Sequence, residues 1–179
     1  MQLKKHLMTS ALVATTILAG FSAANAATAD GTFDVKLTIT SFCSVDSSSG
    51  VQDINFGSYA ANTGPTGIAE QSSASNISVT CSKDAPYVIN LTPSNNSPSG
   101  AGAMTGPGSD TISYQLSKTT GGSAWGNNGI LSAEGDGVSG TGAGLSAAAD
   151  TYTVYAKVTS TTDVKPGDYS DTVAVSVLY

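Results

Sequence analysis

Residues 30–40 read DGTFDVKLTIT. Phe33, Val35, Leu37 and Ile39 alternate with Asp34, Lys36, Thr38 and Thr40. Period two places the four apolar side chains on one face of an extended strand and the polar ones on the other. The stretch follows a Gly-, Ala- and Asp-rich lead, ATADG at 27–31, which offers it no anchor. A strand in this position either packs into its own domain or leaves to complete a neighbour's sheet. Two features favour departure. Only Ser41 and Phe42 join the stretch to Cys43, so a fixed Cys43 makes that joint a neck. The last apolar-alternating segment runs to Tyr179 itself, so a sandwich built from these strands is expected to lack its final strand.

Upstream, residues 1–26 read as a secretory signal peptide. Lys4, Lys5 and His6 form a short basic region, residues 7–21 are mostly apolar, and Ala24-Asn25-Ala26 is an A-x-A cleavage site. The apolar run is too short to span a bilayer. Cleavage leaves 153 residues, enough for one domain with a core. That mature chain carries five Lys, no Arg and thirteen Asp and Glu, a net charge of −8, and the single His is lost with the signal. Such a composition argues against nucleic acid or an anionic membrane as partner. It suits the solubility of an exported protein.

The two cysteines, Cys43 and Cys81, both lie beyond the signal. In an oxidising compartment they are expected to form one disulfide. Zinc is disfavoured, because there is neither a third Cys nor a His to complete a ligand set.

Downstream of a polar loop at 44–50, the segment Val51–Tyr59 carries Val51, Ile54 and Phe56 and reads as a strand with one break in its pattern. Residues 60–75 read as a loop. Ile77, Val79 and Cys81 alternate, as do Tyr87, Ile89 and Leu91, and these two strands are expected to pair across Ser82–Ala85. Residues 93–109 read as a loop long enough to hide a short strand. Ile112, Tyr114 and Leu116 mark a further strand, and residues 119–150 read as a second Gly-, Ala- and Ser-rich loop. Tyr152–Val158 is a strand, Pro166-Gly167 a turn, and Val173, Val175, Val177 and Tyr179 share one face of the last strand. No segment beyond the signal carries an apolar helical repeat over three turns. The fold class expected is all-β, an antiparallel immunoglobulin-like sandwich.

The chemistry for catalysis is thin. Without His or Arg, Ser-His-Asp and Cys-His arrangements and His-ligated metals are excluded. Glu134 and Asp136 lie close together in AEGDG, but in a flexible-looking loop rather than a rigid cleft. The same acids with Asp110 or Asp150 lack the regular spacing of a calcium loop. Trp125, in GGSAWGNNG, suits a loop anchor tucked onto the sandwich, and its other use is stacking on a sugar. No cofactor, no metal and no enzymatic activity is expected.

Taken together, GTFDVKLTIT followed by Cys43, INFG at 54–57, NISVTC at 76–81 and PGDYSDTVAVSVLY at 166–179 resemble the spore coat U-type domain. That domain forms the pilin subunits of archaic, Csu-type chaperone–usher pili. The resemblance covers the first third and the last thirty or so residues. It implies a sandwich lacking its final strand, with a hydrophobic groove that a periplasmic chaperone fills first. At the outer-membrane usher, the N-terminal strand of the next subunit then replaces the chaperone's strand.

Carried onto this sequence, Phe33, Val35, Leu37 and Ile39 become the donor-strand residues. Ile54 and Phe56 on one side, and Val173, Val175, Val177 and Tyr179 on the other, become the edges of the acceptor groove. The implied layout is a signal peptide at 1–26, a donor-strand extension at 27–41 and an immunoglobulin-like pilin domain at 42–179. The implied role is a structural subunit of a surface pilus, exported through the periplasm, homopolymeric, supporting adhesion or biofilm formation. The alternative is a self-contained secreted β-sandwich acting as an adhesin or carbohydrate-binding module.

Overall fold

A computed structural model describes residues 27–46, 53–73 and 76–179. The signal-peptide expectation at 1–26 and Val51 lie outside the described residues. The chain divides into two compact units, Met1–Thr38 and Ile39–Tyr179. In the first unit, residues 27–38 form no strand, Phe33, Val35 and Leu37 are fully solvent-exposed, and Lys36 pairs with Asp34 at 2.9 Å.

In the second unit all strand pairings are antiparallel. Strands β1 (Cys43–Asp46), β3 (Ile77–Cys81) and β8 (Asp150–Tyr152) form one sheet in the order β1-β3-β8. Strands β2 (Gln71–Ser72), β9 (Tyr155–Val158), β6 (Thr111–Ser117) and β5 (Ala101–Thr105) form a second, β2-β9-β6-β5. These two run into one another at Ser73 and Val154. The Ser73 N–H donates to the Val154 carbonyl at 2.8 Å, and the Val154 N–H to Ser73 Oγ at 3.2 Å. The strand expected over Tyr152–Val158 is therefore split, as β8 and β9, where the ladder is interrupted.

Opposite lies the third sheet, β10-β4-β7, made of β10 (Val173–Leu178), β4 (Pro86–Pro93) and β7 (Val138–Thr141). The core between the layers takes Ile77, Val79 and Cys81 from β3, Tyr87, Ile89 and Leu91 from β4, Tyr114 and Leu116 from β6, and Trp125. This is an antiparallel immunoglobulin-like sandwich.

Three expectations need correction. β3 and β4 do not pair, because the Ser82–Ala85 turn carries the chain from one layer to the other. Each strand holds a row of three large side chains, and stacking the rows face to face buries both, whereas a flat hairpin would leave them side by side. Residues 53–59 form no ladder. Ile54 and Phe56 turn inward between exposed Asp53, Asn55 and Gly57, as in a strand, but no neighbouring backbone meets them among the described residues.

Third, four stretches read as loops contain β1, β2, β5 and β7. These short strands lack the large alternating residues that announce a strand, because their partners fill the space. A Cβ on Gly102 of β5 would come within 2.1 Å of the Tyr114 ring, so a bare backbone is needed where that ring crosses.

The outer face of β4 is also buried. Val88 and Asn90 are covered by the loop after Trp125, where Asn90 Nδ2 donates to the Gly129 carbonyl at 2.9 Å. A Cβ on Gly129 or Gly137 would strike both side chains, so the Gly content of this loop reflects close approach to β4.

Candidate functional site

β10 pairs with β4 over six residues, from Val173↔Pro93 to Leu178↔Val88. Its Val173, Val175 and Val177 pack toward the core, while Ala174, Ser176 and Leu178 face solvent. Among the described residues, no strand pairs with its other edge. Along that edge opens a cleft of about 940 Å³. One wall is formed by residues 53–61, the other by residues 164–173 with Val175. Its floor holds Ile77, Leu91, Tyr114, Leu116, Ala156 and Val158, which are core side chains of both layers. The cleft is thus an opening into the hydrophobic interior, flanked by one unpaired strand edge and one segment without a ladder.

Of the expected groove residues, Ile54, Phe56, Val173 and Val175 line this cleft. Val177 packs on the core further along β10 and is not part of the lining, and Tyr179, past the end of β10, is half exposed. Phe33, Val35, Leu37 and Ile39 are 80–88 % exposed. An uncovered row of four large apolar side chains is unusual on a protein surface. Cys43 and Cys81 are disulfide-bonded and stand directly opposite one another in the β1–β3 ladder.

Tyr114 and Asp171 belong to the cleft but are not visible in the sequence as a pair. The Tyr114 hydroxyl donates to Asp171 Oδ2 at 2.7 Å, and the Thr172 N–H to Asp171 Oδ1 at 2.8 Å. Together they tether the entry of β10 to β6. Burial, then the hydrogen bond to the Asp171 carboxylate, raises the Tyr114 pKa above the usual phenol range. The only sequence signal was a DYSDT run whose acids had no assigned partner.

The other candidates have structural partners. Trp125 is fully buried, donates from Nε1 to the Ile89 carbonyl at 3.0 Å and meets Tyr152 edge-on, so it presents no face to a sugar. Glu134 accepts from Lys118 Nζ at 2.8 Å and from Ser139 Oγ at 2.7 Å. The lysine holds its carboxyl below the ordinary range, the opposite of what a general acid requires. Asp136 accepts from Asn128, Asp150 from Tyr87, and Asp110 from the Lys165 N–H. Among the described residues no three such groups converge as a metal site would need.

The family model described as the Spore Coat Protein U domain matches residues 29–176. The chain belongs to this family. In this Spore Coat Protein U domain the match takes in the exposed alternating stretch, both cleft walls and β10 as far as Ser176. No curated protein matches the sequence. The fold is similar to that of a chain in the crystal structure of the CsuC–CsuE chaperone–tip adhesion subunit pre-assembly complex, from archaic chaperone–usher Csu pili of Acinetobacter baumannii. The TM-score is 0.50 at 23% identity, covering 79% of this chain and 40% of that one. The Spore Coat Protein U domain described here thus spans well under half the length of that neighbour.

Proposed function

We propose that this chain is a structural subunit of a chaperone–usher surface pilus that polymerises by donor-strand exchange. The single observation that carries the reading is the cleft. It reaches down to core side chains beside an edge of β10 that pairs with no strand among the described residues, while the same chain holds four apolar residues at period two that are 80–88 % exposed. A strand laid along β10 takes up its free backbone groups, and alternate side chains reach the cleft floor and set the register. Phe33 to Ile39 spans about 20 Å as a strand, a length comparable to that of β10. Burying four such side chains is worth about 6–12 kcal/mol before ordering costs.

Carried to the whole pathway, a periplasmic chaperone occupies the cleft first. The outer-membrane usher exchanges it for residues 30–40 of the next subunit, and the fibre serves adhesion or biofilm formation at the cell surface. Residues 1–26 direct export. The absence of His and Arg from the mature chain supports assembly rather than catalysis.

The test is Leu37→Asp. This places a carboxylate in the neighbour's cleft at a cost of several kcal/mol, or forces it to take up a proton. Export, disulfide formation and co-purification with the chaperone are expected near wild-type level, with the heat-resistant polymer ladder on a gel lost. A mutant that still forms the ladder refutes the donor role. One that neither folds nor binds chaperone shows that Leu37 packs within its own domain.

A further inference from the structure

Residue 42 is clamped from both sides of its peptide. The Phe42 N–H donates to Ser82 Oγ at 3.0 Å, the Ser82 N–H donates to the Phe42 carbonyl at 2.8 Å, and Ser82 Oγ also donates to that carbonyl at 3.2 Å. The next residue is Cys43, bonded to Cys81 at a Cα separation of 4.1 Å. The covalent loop that this bond closes contains residues 53–61, which form one wall of the cleft.

The two strands joined by the disulfide differ in strength. β1 is a four-residue strand, mostly exposed and, among the described residues, laddered only to β3. β3 is laddered on both edges, to β1 and β8, and buries Ile77, Val79 and Cys81 to 1–2 % exposure. A pull arriving along the chain from residues 30–41 must enter the domain at Phe42 and Cys43. Without the covalent link it would peel β1 and draw on the segment that leads to the cleft wall.

We propose that the Cys43–Cys81 disulfide and the Ser82 clamp form a tension link. It passes force from the N-terminal segment directly into β3, so that the chain between Cys43 and Cys81, which carries the 53–61 wall, is not unravelled by the pull. The link rests on the assembly reading above, since a fibre joined by inserted strands passes load through this joint in every subunit. Its function is mechanical, beyond the stabilisation that any disulfide gives.

The experiment is single-fibre force spectroscopy on assembled fibres of the mature chain, oxidised and after reduction in place, with fibres of the Cys43→Ser/Cys81→Ser variant as the second route. Oxidised fibres are expected to hold until strands pull out. Reduced or variant fibres are expected to lengthen first, by up to about 130 Å per subunit for the 38-residue separation, and to part at lower force. Unloaded, both are expected to run as the same heat-resistant ladder. Equal rupture force with no added extension overturns the link and leaves the assembly reading standing. A chain that forms no fibres overturns both.

Discussion

Tyr114 does two jobs in one position: its ring fills the cleft floor and its hydroxyl holds Asp171 at the entry of β10. Tyr87 has the same character, with its hydroxyl held by Tyr152 and Asp150. In both, burial comes first among the causes that raise the phenol pKa above its ordinary 10.0. The native state therefore prefers the neutral phenols. Their contribution to stability is full below pH 10.0 and is lost as the pH climbs from there toward the native values, because the unfolded chain releases protons that the folded chain retains. Tyr114→Phe removes one such proton. Urea unfolding followed across the alkaline range is expected to give a shallower fall of stability with pH for this variant. At neutral pH the lost hydrogen bond costs about 1 kcal/mol. An unchanged alkaline slope would mean that Tyr114 ionises freely in the native state.

At the scale of elements, the telling contrast is between β10 and the stretch 30–40. Both carry valine- or leucine-type alternation, yet among the described residues β10 has a partner strand on one edge and the stretch has none. Val175 lies on β10 in the cleft wall, so Val175→Asp places a charge on the accepting side rather than the donating side. An unpaired carboxylate there costs several kcal/mol once any strand covers it. The expected result differs from that of Leu37→Asp. Val175→Asp loses co-purification with the chaperone as well as polymerisation, whereas Leu37→Asp loses polymerisation alone. Pull-down of both variants side by side reads the difference, and equal chaperone capture by the two would separate the cleft from chaperone binding.

For the whole molecule, a covalent bond cross-links the neighbouring strands β1 and β3, whereas no such bond spans the cleft beside β10. The disulfide shortens the unfolded chain's freedom over a separation of 38 residues, worth about 4 kcal/mol in the chain-entropy view. Unfolded, unreduced protein is expected to give no reaction with a thiol reagent, and two thiols per chain after reduction. The reduced protein is expected to unfold at lower denaturant by an amount of that order. Two reactive thiols before reduction would contradict the bond. The cleft, floored by Leu91, Leu116 and Val158, has no covalent closure.

The sequence alone determined the all-β class, the disulfide partners, the main core strands and the apolar alternation of residues 30–40. Each is a local signal, carried by period-two side chains or by a count of two cysteines. The family resemblance, rather than periodicity, pointed to Ile54, Phe56, Val173, Val175, Val177 and Tyr179 as groove edges, and the first four line the cleft. Only the tertiary structure decided that β3 and β4 lie in opposite layers, since whether two rows of apolar groups sit side by side or face to face depends on the rest of the core. Only it revealed β5 and β7, whose glycines yield their space to Tyr114 and Tyr87 across the sheet. Trp125 likewise needed its surroundings, since a lone Trp in a Gly-rich loop reads as anchor or ligand platform until the carbonyl of Ile89 is found beneath its indole nitrogen. The missing strand was expected from the sequence, but the cleft's depth and floor were not, because they are set by which distant segments pair and pack, a property of the folded chain.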